Sequence, residues 1–215
     1  MQKLTNITSV AAVLPMDNID TDQIMPKQFL RGIDKSGLAL GAFYNMRFSE
    51  KGTPNSDCVF NRPGFENARI LVAGPNFGCG SSREHAVWGM MQMGLRAVIA
   101  PRYGEIFYSN CFNNGLLAAK VSMGVYNELI KCVSETSPVE LSVNVAYKTI
   151  SCGERVWGFE LGARHQRMLL EGMDMVDATL ADMEAIRQFV HQHEQKFPWM
   201  AGLAGKAKRK LIPEA

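Results

Sequence analysis

The chain has 215 residues, 47% hydrophobic and 20% charged, with a formal net charge of +2. This is ordinary globular composition at a length that supports one domain with a full core. The charge gives no reason to expect nucleic acid or a membrane surface as a partner, and no apolar run approaches the ~20 residues of a membrane span.

In chain order, residues 7–14 read as a first strand. Residues 17–68 are loop-rich, punctuated by Gly32, Gly37, Gly41, Gly52, Pro54, Pro63 and Gly64. A regular alternation follows: strand 69–73, helix 83–94, strand 96–100, helix 104–113, strand 116–120 and helix 124–134. Such alternation predicts a parallel sheet with crossover helices. Val139, Leu141, Val143 and Val145 then alternate with polar or small neighbours, the period of a half-buried strand. Residues 148–152 and 155–161 give two more short strands around Gly153 and Glu154. Helices at 163–171 and 180–195 close the body, and Pro198 ends the last one. The expected organisation is one α/β domain over residues 1–200 and a solvated basic tail over 201–215, with Lys206, Lys208, Arg209 and Lys210. The N-terminus lacks a basic stretch followed by an apolar one, so no secretory signal is read and the cytoplasm is the expected compartment.

The most informative segment is Gly74-Pro75-Asn76-Phe77-Gly78-Cys79-Gly80-Ser81-Ser82-Arg83-Glu84-His85-Ala86. It leads from a buried strand to a helix N-terminus, where unpaired N–H groups and the helix dipole favour an anion. Ser81 and Glu84 match a capping box, which would start the helix there. Arg83 adds a planar fork suited to a carboxylate. Phosphate loops fit less well: no Lys-Ser or Lys-Thr follows Gly80, and Arg83 stands where a dinucleotide loop needs its third glycine. A small carboxylate is the expected ligand, though the same residues also allow a plain tight turn and helix cap.

No two of Cys58, Cys79, Cys111, Cys132 and Cys152 are closer than 20 residues, so no zinc or iron–sulfur spacing is present. Four of them read as small buried hydrophobes; Cys79, inside the loop, is the candidate reactive thiol. Asp20, Thr21 and Asp22 read as a turn and helix cap, with Asp-x-Asp only a weak metal signal.

Asn76 to Ala86 closely resembles the signature of the 3-isopropylmalate dehydratase small subunits, the family that corresponds to the mobile fourth domain of aconitase. Further blocks match in the same order: Asn18 to Leu30, Val98 to Pro101, Glu105 to Leu117, and Gly172-Met173-Asp174 with Thr179-Leu180. The resemblance implies the swivelling β/β/α fold and a hydro-lyase subunit that isomerises 2-isopropylmalate through dehydration and rehydration. It implies Ser81 as the catalytic base, Arg83, Ser82 and Gly80 as substrate-binding residues, and Glu84 and His85 as structural. The segment around Ile24 to Leu38 would bear on substrate choice, with Phe29, Leu30 and Ile33 lining an alkyl pocket or simply packing in the core. A 4Fe-4S cluster is implied on a partner large subunit, and none on this chain, which alone would be inert. Val87 and Pro101-Arg102-Tyr103-Gly104-Glu105 depart from the family's usual residues without touching Ser81 or Arg83. Another 2-hydroxy diacid of dimethylmalate, citramalate or homocitrate type therefore stays open as substrate. So does a non-catalytic anion-binding module.

Overall fold

A computed structural model describes residues 1–30, 35–133, 137–203 and 205. Two compact units are present, one from Met1 to Asp174 and one from Met175 onward. The sequence alone leads to an expected boundary at residue 200. The basic cluster Lys206, Lys208, Arg209 and Lys210 lies outside the described residues, as does Ile33.

The first unit is organised around one seven-stranded sheet of order β4-β3-β2-β1-β5-β6-β7. Its strands are β1 (Asn6–Leu14), β2 (Ile70–Ala73), β3 (Ala97–Ala100), β4 (Leu117–Lys120), β5 (Glu140–Asn144), β6 (Thr149–Cys152) and β7 (Arg155–Gly158). β1 joins two halves of different character. Its C-terminal part runs parallel to β2, with Ala11 opposite Ile70 and Leu14 opposite Ala73. Its N-terminal part runs antiparallel to β5, with Ile7 opposite Val143.

Residue pattern follows that division. Every residue of β2 and β3 is buried, as expected for parallel strands covered on both faces. In β5, Leu141 and Val143 are buried while Glu140 is exposed, the alternation of a sheet wet on one side. Trp157 of β7 buries its ring and donates from Nε1 to Glu128 Oε2 at 2.7 Å.

The helices are α1 (Thr21–Ile24), α2 (Tyr44–Arg47), α3 (His85–Gln92), α4 (Glu105–Asn114), α5 (Met123–Cys132) and α6 (Ala163–Glu171). α4 ends on Gly115 in the left-handed region, φ 82°, which closes a helix without a Cβ penalty. The 17–68 region is more structured than its glycines and prolines suggested. Besides α1 and α2 it contains 3-10 turns at Lys27–Phe29 and Val59–Asn61. Arg47 ties it together by donating from Nη1 to the carbonyls of Ala39 and Ala42 at 2.9 and 3.0 Å.

In the second unit, α7 (Met175–Ala181) precedes α8 (Met183–Lys196), with Asp182 between them. The sequence reading has a single helix here. α7 has no buried residue: its apolar Met175, Val176 and Leu180 are exposed.

Candidate active site

The glycine loop leaves β2 and is held from both sides by backbone. On one side Gly78 N–H donates to Ile19 O at 2.7 Å, and Thr21 N–H donates to Cys79 O at 2.9 Å. On the other, Phe77 N–H donates to Arg102 O at 3.0 Å, and Gly104 N–H returns to Phe77 O at 2.9 Å. The loop thus continues the sheet as a narrow third strand between segments that follow β1 and β3. Gly78 is required: at φ 70° its Cβ position falls inside the Phe107 ring. Gly104 is required for the converse reason, because a Cβ there would overlap Gly78 O.

The expected capping box at Ser81 and Glu84 is absent. Glu84 is itself the N-cap residue of α3, with no side-chain cap bond, and the helix begins at His85. Its carboxylate instead accepts from Asn114 Nδ2 at 2.6 Å, and Asn114 Oδ1 accepts from Trp88 Nε1 at 2.9 Å. A through-space partner on α4 thus outcompetes the local one. The box occurs one segment earlier: Gln23 N–H donates to Asp20 Oδ1 at 2.7 Å, and Asp20 N–H donates to Gln23 Oε1 at 2.9 Å. That fixes α1, and α1 in turn fixes the loop.

Two residues of α1 carry this out. Thr21, buried to 1% exposure, donates from Oγ1 to Ser81 O at 3.2 Å and so pins the backbone of that serine. Asp22 forms an ion pair with Arg83 through Oδ1 and Nη1, in a contact bent away from ideal hydrogen-bond direction. The Arg83 side chain is 17% exposed and that of Asp22 44%. Hydrogen bonding to Arg83 is the main cause that holds the Asp22 carboxyl below its ordinary 3.8; burial opposes it, and the Arg83 and Lys27 charges add to it. Asp22 is the residue that sequence reasoning missed. Its signal was in the block Asp20-Thr21-Asp22, which suits a helix cap equally well.

Ser81 and Ser82 are exposed, Gly80 is exposed, and Arg83 lies half-buried behind them. Gly80 has φ 90°, which turns the chain toward the two hydroxyls. No backbone N–H from Gly80 through Glu84 donates to an acceptor among the described residues. Open donors, two free-facing hydroxyls and a guanidinium are the inventory of a carboxylate receptor. Cys79 is half-buried and donates from Sγ to Asn18 O at 3.5 Å. His85 packs against Trp88 with ring centroids 4.7 Å apart and planes tilted by 52°, at the flank of α3.

Phe29 and Leu30 follow α1 and are half-buried. The Phe29 ring packs on Tyr44 at 4.8 Å, and a Cβ on Gly41 would meet Phe29 Cγ at 2.7 Å. No described hydrogen bond or ring contact joins either residue to the glycine loop. The segment that follows is nonetheless strapped to α3: Leu38 N–H donates to Gln92 Oε1 at 2.8 Å, and Gly89 lies against Met25, Leu38 and Ala42. A cleft of about 880 Å³ lined by Gln28, Tyr44, Phe48 and Thr53 opens nearby, and neither Ser81 nor Arg83 lines it. Among the described residues no three His, Cys, Asp or Glu side chains gather where a metal ion would sit, and no described helix is long and apolar enough to cross a membrane.

Comparison with known proteins adds a consistent picture. The aconitase C-terminal domain family matches residues 1–124. A 3-isopropylmalate dehydratase small subunit from Chromobacterium violaceum is 51% identical over 96% of this chain and 98% of its own. Another from Rhizobium rhizogenes is 42% identical over 94% of this chain and all of its own. The crystal structure of a 3-isopropylmalate dehydratase from Methanocaldococcus jannaschii superposes with a TM-score of 0.60 at 25% identity, covering 86% of this chain and 98% of that one.

Proposed function

The chain belongs to the 3-isopropylmalate dehydratase small subunits of the aconitase superfamily, and from this premise we propose that Ser81 and Arg83 are its catalytic pair. The protein is the small subunit of a two-subunit hydro-lyase that interconverts 2-isopropylmalate and 3-isopropylmalate in leucine biosynthesis. The alternative of a non-catalytic anion-binding module is not favoured by these relatives. The observation that carries the site assignment is the exposed Ser81 hydroxyl, set on a loop of open N–H donors in front of a half-buried Arg83 that Asp22 orients.

The reaction removes a proton from an unactivated carbon and hydroxide from its neighbour, then restores both in the opposite sense. A base of high basicity must therefore sit beside clamps for two carboxylates. Ser81 Oγ is the proposed base, acting as an alkoxide. Such an ion needs a preorganised positive environment, which the open N–H groups and Arg83 supply. Arg83 grips one substrate carboxylate with its fork while Asp22 keeps the guanidinium from rotating away. Ser82 Oγ and the Gly80 N–H donate to the same carboxylate. Taking the hydroxyl requires a Lewis acid, assigned to a 4Fe-4S cluster on the large subunit. Among the described residues no three His, Cys, Asp or Glu side chains are grouped to hold such a cluster. Phe29 and Leu30 would face the substrate's alkyl group only once the large subunit closes on the loop. The assembled enzyme is placed in the cytoplasm.

A panel of 2-hydroxy diacids, given to this chain reconstituted with its large subunit, tests the substrate. The isopropyl compound should show the highest kcat/KM. Preference for a smaller alkyl group would reassign the substrate while keeping the chemistry.

A further inference from the structure

Arg69 stands immediately before β2 and Arg96 immediately before β3. The parallel register pairs Ile70 with Ala97, and Arg96 N–H donates to Arg69 O at 2.8 Å, so the two arginines are neighbours across adjacent strands. Both line a cavity of about 370 Å³, together with Lys3, Lys35, Asn113 and Asn114. No described Asp or Glu lines it, and none of the four cations forms an ion pair among the described residues. The cavity lies where β1 to β4 begin, at the opposite end of the parallel strands from the glycine loop, which follows the C-terminal end of β2.

Several of these groups are already positioned. Arg96 Nη1 donates to Met91 O and Leu95 O, both at 2.8 Å, which fixes its guanidinium before any ligand arrives. Lys35 Nζ stands 4.2 Å from the centre of the Trp88 ring, and the Trp88 indole donates to Asn114. The Lys3 stem packs at Gly172, where an added Cβ would meet Lys3 Cγ at 3.2 Å. Asn113 Oδ1 is buried with no hydrogen-bond partner among the described residues. Four like charges around one cavity repel one another, and a buried acceptor left unmet is costly. Both are relieved by a ligand that carries more than one negative charge and a hydrogen-bond donor.

We propose that this cavity is a second anion site, for a small hydroxylated phosphate monoester. A phosphate monoester brings close to two charges and three terminal oxygens at neutral pH, enough to bridge the Arg69 and Arg96 guanidiniums with Lys3 and Lys35 beside them. A single carboxylate brings one charge and two oxygens and leaves more of the repulsion standing. The ester's hydroxyl supplies the donor that Asn113 Oδ1 lacks. A volume of about 370 Å³ is at the small end for ligand cavities, which suits such a molecule. Asn114 links the site to the helix that follows the glycine loop, through its bond to Glu84.

Isothermal titration of the full chain with glycerol 3-phosphate, in buffer free of phosphate and sulfate, tests the site. One equivalent should bind, more tightly than malate. Arg69 and Lys3 are exposed and make no described side-chain hydrogen bond, so Arg69→Gln and Lys3→Gln should each leave the fold intact. Each should weaken binding by about tenfold. Arg83→Gln at the glycine loop and Arg164→Gln on α6 should leave it unchanged. No heat at millimolar glycerol 3-phosphate, or equal affinity for malate, would overturn the phosphate site. Loss confined to Arg83→Gln would place the anion at the glycine loop, and equal loss in Arg164→Gln would reduce the effect to diffuse charge; either result overturns it. The titration uses the small subunit alone, so its outcome is separate from the catalytic assignment of Ser81 and Arg83.

Discussion

At the scale of single residues, the account rests on Ser81, Arg83 and Asp22. Arg83→Lys keeps a positive charge but loses the fork, so kcat/KM should fall by roughly 10- to 100-fold with both constants affected. Asp22 makes a separate prediction through pH. Its carboxyl is held below the ordinary 3.8, chiefly by the hydrogen bond to Arg83. A depressed folded-state value stabilises the fold at pH above the ordinary value, and that contribution is lost as pH falls through the folded one. Melting temperatures of the wild type and Asp22→Asn should therefore differ at neutral pH and converge as the medium is acidified below 3.8. A constant gap across that range would mean that the ion pair does not hold Arg83. Ser81 and Arg83 stood out as candidates in the sequence because they are neighbours on one loop. Asp22 was illegible because its partner lies across space, and its own segment satisfies a helix cap without it.

The elements explain why those residues stand where they do. The glycine loop behaves as a short strand between the segments after β1 and β3, and α1 and α4 lock it from two sides. Gly78→Ala would place a methyl group in the Phe107 ring at a positive φ, at a cost of ~2 kcal/mol or more. Thermal unfolding should show this as a lower melting temperature, and Phe107→Ala in the same chain should recover part of it. Asn114→Ala would strip partners from both Glu84 and Trp88 and should destabilise the α3–α4 packing by about 1–3 kcal/mol in denaturant unfolding. The strand and helix alternation from residue 69 to 134 was readable because buried parallel strands are continuous apolar runs of fixed length. Ser81-x-x-Glu84 misled because a capping box is a local pattern, and Asn114 offers Glu84 a better partner from another helix.

At the scale of the whole molecule, the proposal has the first unit supply one half of a site. The sheet, with β1 shared between its parallel and antiparallel halves, delivers the hydroxyl and the guanidinium to an exposed loop, while the resemblance assigns the Lewis acid to another chain. The small subunit alone should therefore show no turnover, and adding the large subunit should restore it in proportion to the complex formed. The fold class was legible from the order of elements together with the family blocks. The division at Met175 was not, because a sequence pattern does not record that the apolar Met175, Val176 and Leu180 of α7 stay exposed. The measurement that tests the central claim most directly is anaerobic turnover of 2-isopropylmalate by the reconstituted pair, with wild-type and Ser81→Ala small subunits compared at equal complex concentration. The account predicts a loss of roughly a thousandfold in kcat with KM little changed. A Ser81→Ala complex that turns over at the wild-type rate would contradict it and move the base to another residue.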